Sequence, residues 1–491
     1  MTTQHPLRRT KIVVTLGPSL DDQEVLKQVI AEGADVFRAN FSHGSLETHE
    51  NRINMVRKLA DECGKTVAIL ADMQGPKIRI GRFKNKKIML EVGQDFTLDI
   101  NLENDGGTDK IVGLDYKELP NDVSAGDTLL LDDGRIVMQV VKTEPTRIYC
   151  KVTVGGELSN NKGINRLGGG LSATALTDKD RADIKEAVRM SADYIAISFP
   201  RNADDVNEAR GLVKAAGGHA GIIAKIERAE AITNIEEIIL ASDAVMVARG
   251  DLGVEIGDAE LPGAQKLIIH LAKKLNKAAI TATQMLETMT YNTIPTRAEV
   301  SDVANAVLDG TDAVMLSGET AVGKYPDKAV AAMHRICLSA EKTMLLTTKT
   351  DRIHEPHFKF VDEAIAMATM YTANHLNIQA IIALTESGTT PLWMSCVQSG
   401  IPIYGLSRHL NTQRRMALYR GVYPLPFDAT HIDRRVLNQT AVGELQKRDI
   451  LKEGDLVILT KGDLIGVHGR TNSMKIVTVT SMADLMENLK N

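Results

Sequence analysis

The chain has 491 residues, 43% hydrophobic and 25% charged, a balance that excludes a disordered or fibrous protein and is too long for one ordinary core. A formal net charge of −5 offers no general attraction for nucleic acid or an anionic membrane. No apolar run reaches membrane length, and the start of the chain, MTTQHPLRRTK, has no signal-peptide apolar segment. Cys63, Cys150, Cys337 and Cys396 are far apart and form no CxxC pair, so reduced thiols in a cytoplasmic protein are expected rather than structural zinc or disulfides.

Eight short apolar runs read as strands: Lys11–Gly17, Asp35–Phe41, Val67–Asp72, Tyr194–Phe199, Ile222–Glu227, Ala244–Arg249, Ala278–Thr283 and Ala313–Ser317. Their near-continuous hydrophobicity suits strands covered on both faces. Amphipathic helical stretches alternate with them, among them Asp21–Glu32, Leu46–Glu62, Asp178–Met190, Ala203–Ala216 and Pro262–Leu275. Eight strand–helix units predict a (β/α)8 TIM barrel over residues 1–73 and 171–345, with its active site at the C-terminal strand ends. An open doubly wound sheet is the alternative, weakened because no GxGxxG follows the first strand.

The alternation breaks after the third strand. Within residues 74–170, Lys77–Phe83, Lys87–Val92, Asp95–Ile100, Thr128–Leu131, Arg135–Val141 and Thr146–Val154 read as short strands between Asp-Gly, Gly-Asp and Gly-Gly turns. An inserted all-β lid on the catalytic face follows. From residue 346 to 491 a C-terminal α/β domain with a mainly parallel sheet is expected, with a helix at Val361–Leu376 and strands at Ala380–Leu384, Ile401–Leu406, Val422–Pro424, Leu456–Leu459 and Ile476–Val479. Its first strand ends in TESGTT (385–390) before a helical stretch, which suits either an anion site or a plain polar turn.

Polar residues gather at the C-terminal ends of the barrel strands. The second strand contributes Arg38, Asn40, Ser42 and His43, and the third Asp72, with Lys77 and Arg79 just beyond. The fifth gives Lys225 and Glu227, the sixth Arg249, Gly250 and Asp251, the seventh Thr281, Thr283 and Gln284, and the eighth Ser317 and Glu319. Lys225 and Glu227, two apart, share one face of their strand. Cations, hydroxyls and a pair of carboxylates able to hold a hard metal point to a small, multiply anionic substrate and a divalent ion. A metal-dependent lyase or aldolase using Lys225, and a non-catalytic metabolite sensor, are the rival readings.

The segments RANFSHG (38–44), NNKGIN (160–165), IIAKIERAEAI (222–232), MVARGDLG (246–253), TATQML (281–286) and PTRAEVSDVANAVLDGTDAVMLSGETA (295–321) resemble the motifs of bacterial-type pyruvate kinases, in the family's order and over essentially the whole chain. The resemblance implies phosphoryl transfer from phosphoenolpyruvate to ADP, giving pyruvate and ATP. It implies Glu227 and Asp251 as ligands of Mg2+ or Mn2+, Lys225 and Arg38 on the phosphoryl group, and the amides of Gly250 and Asp251 on the substrate carboxylate. Thr283 then lies near the enolpyruvate carbon. Arg79, His43, Lys162 and Asn40 face the nucleotide phosphates, with Asp133 reaching over from the lid. Arg249 is read as a structural clamp, with direct substrate binding the alternative.

In many family members the segment after the third strand carries threonine and glutamate that serve a monovalent cation. Here Met73 and Ile80 stand for threonines and Lys77 for the glutamate, while Asn40, Ser42 and Asp72 are kept. A fixed ammonium in place of potassium implies that K+ is not required. Thr385, Ser387, Gly388, Thr389 and Thr390 resemble an effector phosphate pocket. Glu386 inside it disfavours a second phosphate, so a sugar monophosphate or AMP is the expected activator, and a homotetramer the implied assembly.

Overall fold

The computed structural model describes residues 7–347 and 358–480, apart from positions 465 and 468. Residues 348–357, just after the predicted junction at residue 346, and the last residues of the predicted C-terminal domain therefore lie outside the described residues.

Eight parallel strands close into a barrel: Lys11–Thr15, Val36–Asn40, Ala68–Asp72, Tyr194–Ile197, Gly221–Ile226, Ala244–Ala248, Ala278–Ala282 and Ala313–Leu316. Neighbours in the ring are neighbours in chain order, and the eighth strand returns to the first through Lys11 opposite Ala313. The open-sheet alternative is thereby excluded. Side-chain alternation sorts each strand into two faces. Val13, Val36, Leu70, Ala196, Ile223, Met246 and Ile280 point into the barrel. Val14, Phe37, Ile69, Ile195, Ala224, Val245 and Ala279 pack against the outer helices. Those helices begin at side-chain caps, including Asp22 and Ser45 and the capping boxes at Thr177–Asp180 and Thr296–Glu299.

Between the third and fourth barrel strands a six-stranded sheet and a two-stranded sheet build a separate apolar core around Phe96, Leu129, Met138 and Ile148. The strand expected at Lys77–Phe83 does not form. Arg79, Ile80 and Phe83 instead make single bridges to Gly163, Leu114 and Gly107, three different partners, so no continuous ladder develops. Three short strands absent from the sequence reading, Ile111–Gly113, Gly156–Ser159 and Ile164–Arg166, complete these sheets.

The C-terminal sheet has five strands: Ile378–Leu384, Ile403–Ser407, Val422–Pro426, Leu456–Gly462 and Thr471–Thr478. All pairings are parallel except that of the last strand, which is antiparallel to Leu456–Gly462. Tyr194, at the start of the fourth barrel strand, packs in one apolar cluster with Met416, Leu418 and Tyr419, so the barrel floor rests on this domain.

Candidate active site

The inward parity of each strand determines what reaches the rim. Val13 is followed by Thr15, Val36 by Arg38 and Asn40, Leu70 by Asp72, Ala196 by Ser198, and Ile223 by Lys225 and Glu227. The same spacing that buries the barrel interior therefore delivers polar groups to one mouth.

Lys225 is the centre of this cluster. Its Nζ lies 2.8 Å from Ser198 Oγ, 2.9 Å from Glu227 Oε1 and 3.4 Å from Asp72 Oδ1. An ammonium has three donors, and three acceptors surround this one. Burial alone depresses the Lys225 ammonium, but Asp72 and Glu227 outweigh it and hold its pKa above the ordinary lysine value, so it is charged at neutral pH. Burial likewise favours protonation of Asp72, and Lys225 and Arg38 overcome that and keep it ionised. Arg38 Nε donates to Asp72 Oδ2 at 2.6 Å, and Arg38 Nη1 to Thr15 Oγ1 at 3.1 Å.

Glu227 is 1% exposed and accepts the Phe199 amide on Oε2 at 2.9 Å. Burial, reinforced by nearby Asp251 and opposed by Lys225, pushes its carboxyl up to about 7. A carboxyl raised in part by a neighbouring carboxylate belongs to a donor set that a divalent cation relieves. Among the described residues no third His, Cys, Asp or Glu completes a protein cage. A hard divalent cation can be held by one or two carboxylates, with its other positions left for water and substrate. Asp251 is held by Lys77, whose Nζ is 3.0 Å from Asp251 Oδ1.

Thr283 stands in the left-handed region at φ 67°, followed by Gln284 at φ 55°. Its Oγ1 donates to Ala282 O at 2.6 Å and accepts the Gly250 amide at 2.9 Å. Arg249 is 7% exposed and donates to the carbonyls of Ala282, Thr283 and Gln284 and to Asp302 Oδ1, the last at 2.7 Å. Its guanidinium fork clamps the strained turn that presents Thr283. Glu319 is buried, accepts the amides of Ser317 and Leu286 at 2.7 and 3.0 Å, and is pushed upward in pKa by burial.

The residues assigned to the nucleotide side fall into two groups. On the second-strand loop, Asn40 Oδ1 accepts the Ser42 amide at 3.2 Å, and the carbonyl of exposed His43 meets His49 Nε2 at 2.9 Å. On the lid, Arg79 Nη1 donates to Asn161 O at 3.0 Å and Lys162 Nζ pairs with Asp132 at 2.6 Å, beside Asp133 in a left-handed turn at φ 55°. Met73 is buried, and its carbonyl accepts from Ser198 Oγ at 2.8 Å. In the C-terminal domain Thr385, Ser387, Thr389 and Thr390 line an open cleft with Lys461 and Arg470. Gly388, at φ 81°, donates its amide to Thr385 Oγ1 at 2.9 Å. Glu386 is bonded to His409 at 2.6 Å and Arg408 at 3.2 Å.

Sequence reasoning passed over Ser198, Thr15 and Asp302. The first two end the fourth and first strands, the two strand ends from which no polar residue was drawn; strand parity was the available signal. Asp302, on a helix, carried none.

Two family profiles cover most of the chain: "Pyruvate kinase, barrel domain" over residues 7–330 and "Pyruvate kinase, alpha/beta domain" over residues 363–477. The chain belongs to the pyruvate kinase family. It is 55% identical over 477 residues to pyruvate kinase II of Salmonella typhimurium, covering 96% of this chain and 99% of that protein. It is 54% identical to pyruvate kinases of Buchnera aphidicola subsp. Schizaphis graminum (96% and 99% covered) and Haemophilus influenzae (93% and 96% covered). As a pyruvate kinase the chain is a phosphotransferase, and the lyase and sensor readings fall away. No described helix is long and apolar enough to cross a membrane.

Proposed function

We propose that the chain transfers the phosphoryl group of phosphoenolpyruvate to ADP, giving pyruvate and ATP, in the last step of glycolysis. The observation that carries this reading is the charged Lys225 ammonium held between Glu227 and Asp72 at the barrel mouth. Phosphoryl transfer asks for positioning and charge neutralisation more than for covalent help. Glu227 and Asp251 hold Mg2+ or Mn2+, which when bound offsets charge on the substrate oxygens. Lys225 and Arg38 neutralise the phosphoryl group in flight, and the 12–13% exposure of both side chains keeps water from screening them. The Gly250 and Asp251 amides bind the substrate carboxylate, the former by exchanging its bond to Thr283. Thr283 then works with water to protonate the enolpyruvate carbon, since its hydroxyl is too weak an acid alone. Arg79, Lys162, Asn40, His43 and Asp133 bind the ADP phosphates between barrel and lid.

The functional units in this reading are the barrel at 1–73 and 171–345, the lid at 74–170 and an effector domain at 346–491. Lys77 supplies a positive charge in place of the K+ that related enzymes use, the monovalent-cation region being Asn40, Ser42, Asp72 and Met73. The Thr385–Thr390 loop takes a sugar monophosphate or AMP as activator, with Glu386 disfavouring a bisphosphate. The enzyme works as a cytoplasmic homotetramer. A coupled assay for pyruvate tests these points together, run with and without KCl in potassium-free, sodium-free buffer and against a panel of phosphates. Absence of phosphoenolpyruvate- and ADP-dependent pyruvate refutes the reaction, tenfold or greater activation by KCl refutes the role of Lys77, and stronger activation by a bisphosphate refutes the effector class.

A further inference from the structure

Lys77 lies on the segment that leaves the barrel after its third strand and leads into the lid sheets. This segment is pinned at both ends. The Gly75 amide donates to Asp180 Oδ1 at 3.1 Å on the barrel side, and Gly75, at φ +70°, packs so closely that a Cβ there would lie 2.5 Å from Ser198 Cβ. On the lid side Arg79 bridges to Gly163 and Ile80 to Leu114. Backbone held in this way delivers the Lys77 ammonium to Asp251 Oδ1, 3.0 Å away.

The two carboxylates assigned to the divalent ion thus differ. Glu227 is buried and shares Lys225 with Asp72 and Ser198, whereas Asp251, with its side chain 25% exposed, is bound by a lysine from a different structural unit. A divalent cation drawn to Asp251 meets a full positive charge already at contact distance from the oxygen it must bind. Like charges that close repel, and one has to leave. We propose that Lys77 competes with the divalent ion for Asp251, so that metal binding to the free enzyme displaces the ammonium and loosens the strap leading into the lid. This rests on the reading of Glu227 and Asp251 as metal ligands. Linkage makes the effect reciprocal: whatever holds the strap on Asp251 weakens metal binding by the same factor.

The test is equilibrium binding of Mn2+ to the full chain without substrate, read from the electron paramagnetic resonance signal of free Mn2+. Because the pair is partly exposed, Lys77→Met is expected to bind Mn2+ about fivefold more tightly than the parent. Lys77→Gln gives the same reading should the methionine variant misfold, and Lys77→Arg, which keeps the charge, stays within twofold of the parent. Amide hydrogen exchange in residues 76–81 rises when Mn2+ is added to the parent and not to Lys77→Met. Unchanged or weaker Mn2+ binding in both neutral variants overturns the competition; if Asp251→Asn has meanwhile lost binding, the ligand reading still stands. Undiminished binding in Asp251→Asn overturns both.

Discussion

Ser198→Ala removes one of the three acceptors around the Lys225 ammonium and deprives the Met73 carbonyl of its hydroxyl donor, while Glu227 and Asp72 stay in place. The crowded contact with Gly75 is made by Ser198 Cβ, which alanine keeps, so the local backbone is retained. A hydrogen bond to a charged group contributes about 1.5–3 kcal/mol, and with two carboxylates still holding the nitrogen the lower figure applies. If the lost ordering of Lys225 falls wholly on the transition state, about 1.5 kcal/mol corresponds to a roughly tenfold fall in kcat. The unpartnered Met73 carbonyl should cost about 1 kcal/mol of stability. Steady-state kinetics for phosphoenolpyruvate and ADP, combined with Mn2+ titration, separate these effects. The expected result is kcat down tenfold, with KM for phosphoenolpyruvate and the Mn2+ dissociation constant within twofold of the parent. A variant with parental kcat, or one whose Mn2+ affinity falls as far as its kcat, refutes Ser198 as a positioning residue for Lys225.

Arg249→Ala should lose about 3 kcal/mol or more, because Asp302 and the carbonyls of Thr283 and Gln284 lose this donor, and Arg249→Lys should rescue little of it; calorimetric melting checks both. Thr283→Ala should slow enol protonation, followed by tritium exchange from pyruvate, far more than it weakens metal binding, and equal losses would remove Thr283 from that role. Gly75→Ala combines a left-handed backbone with a clash on Ser198 and should lower both melting temperature and kcat, whereas a neutral result would mean that the segment moves freely. Glu255, which accepts the Ala229 amide at 2.9 Å, is pushed by burial from 4.5 to about 7. The folded state therefore holds the extra proton between those values, so this contribution is complete below pH 4.5 and lost as pH rises through 7. The loss amounts to about 3 kcal/mol at most. Glu255→Gln should flatten the fall in melting temperature between pH 5 and 8, and an unchanged slope would refute the assignment.

The barrel was legible because each of its strands is an uninterrupted apolar run with a polar end, and two-residue alternation then placed Arg38, Asp72, Lys225 and Glu227 at one mouth. The lid was less legible. Residues 77–83 have strand-like composition, yet their bridges go to three separate partners, and pairing over such separations leaves no mark on a local pattern. The contact between Lys77 and Asp251 was hidden for the same reason: residues 174 positions apart are brought together by the insertion, and nothing in either neighbourhood announces the other. Roles that depend on a bonding partner, such as those of Ser198 and Asp302, required coordinates, whereas roles that depend on residue type at a strand end did not.

The insertion also bears on how the barrel assembles. Its third and fourth strands pair through Leu70 with Tyr194 and Asp72 with Ala196, across an excursion of residues 73–193. Closing a loop of that length from a floppy chain costs roughly 4 kcal/mol of entropy, against about 2 kcal/mol for a loop of some ten residues. The lid has its own apolar core, and its Arg79–Gly163 bridge shortens the excursion that the barrel pairing has to span. A lid that folds first therefore acts as a staple at one of the two seams of the barrel that are not local in sequence, the other being the return of the eighth strand to the first. Substitutions deep in the lid core, far from any substrate, should accordingly slow barrel closure during folding and not merely loosen a moving cover.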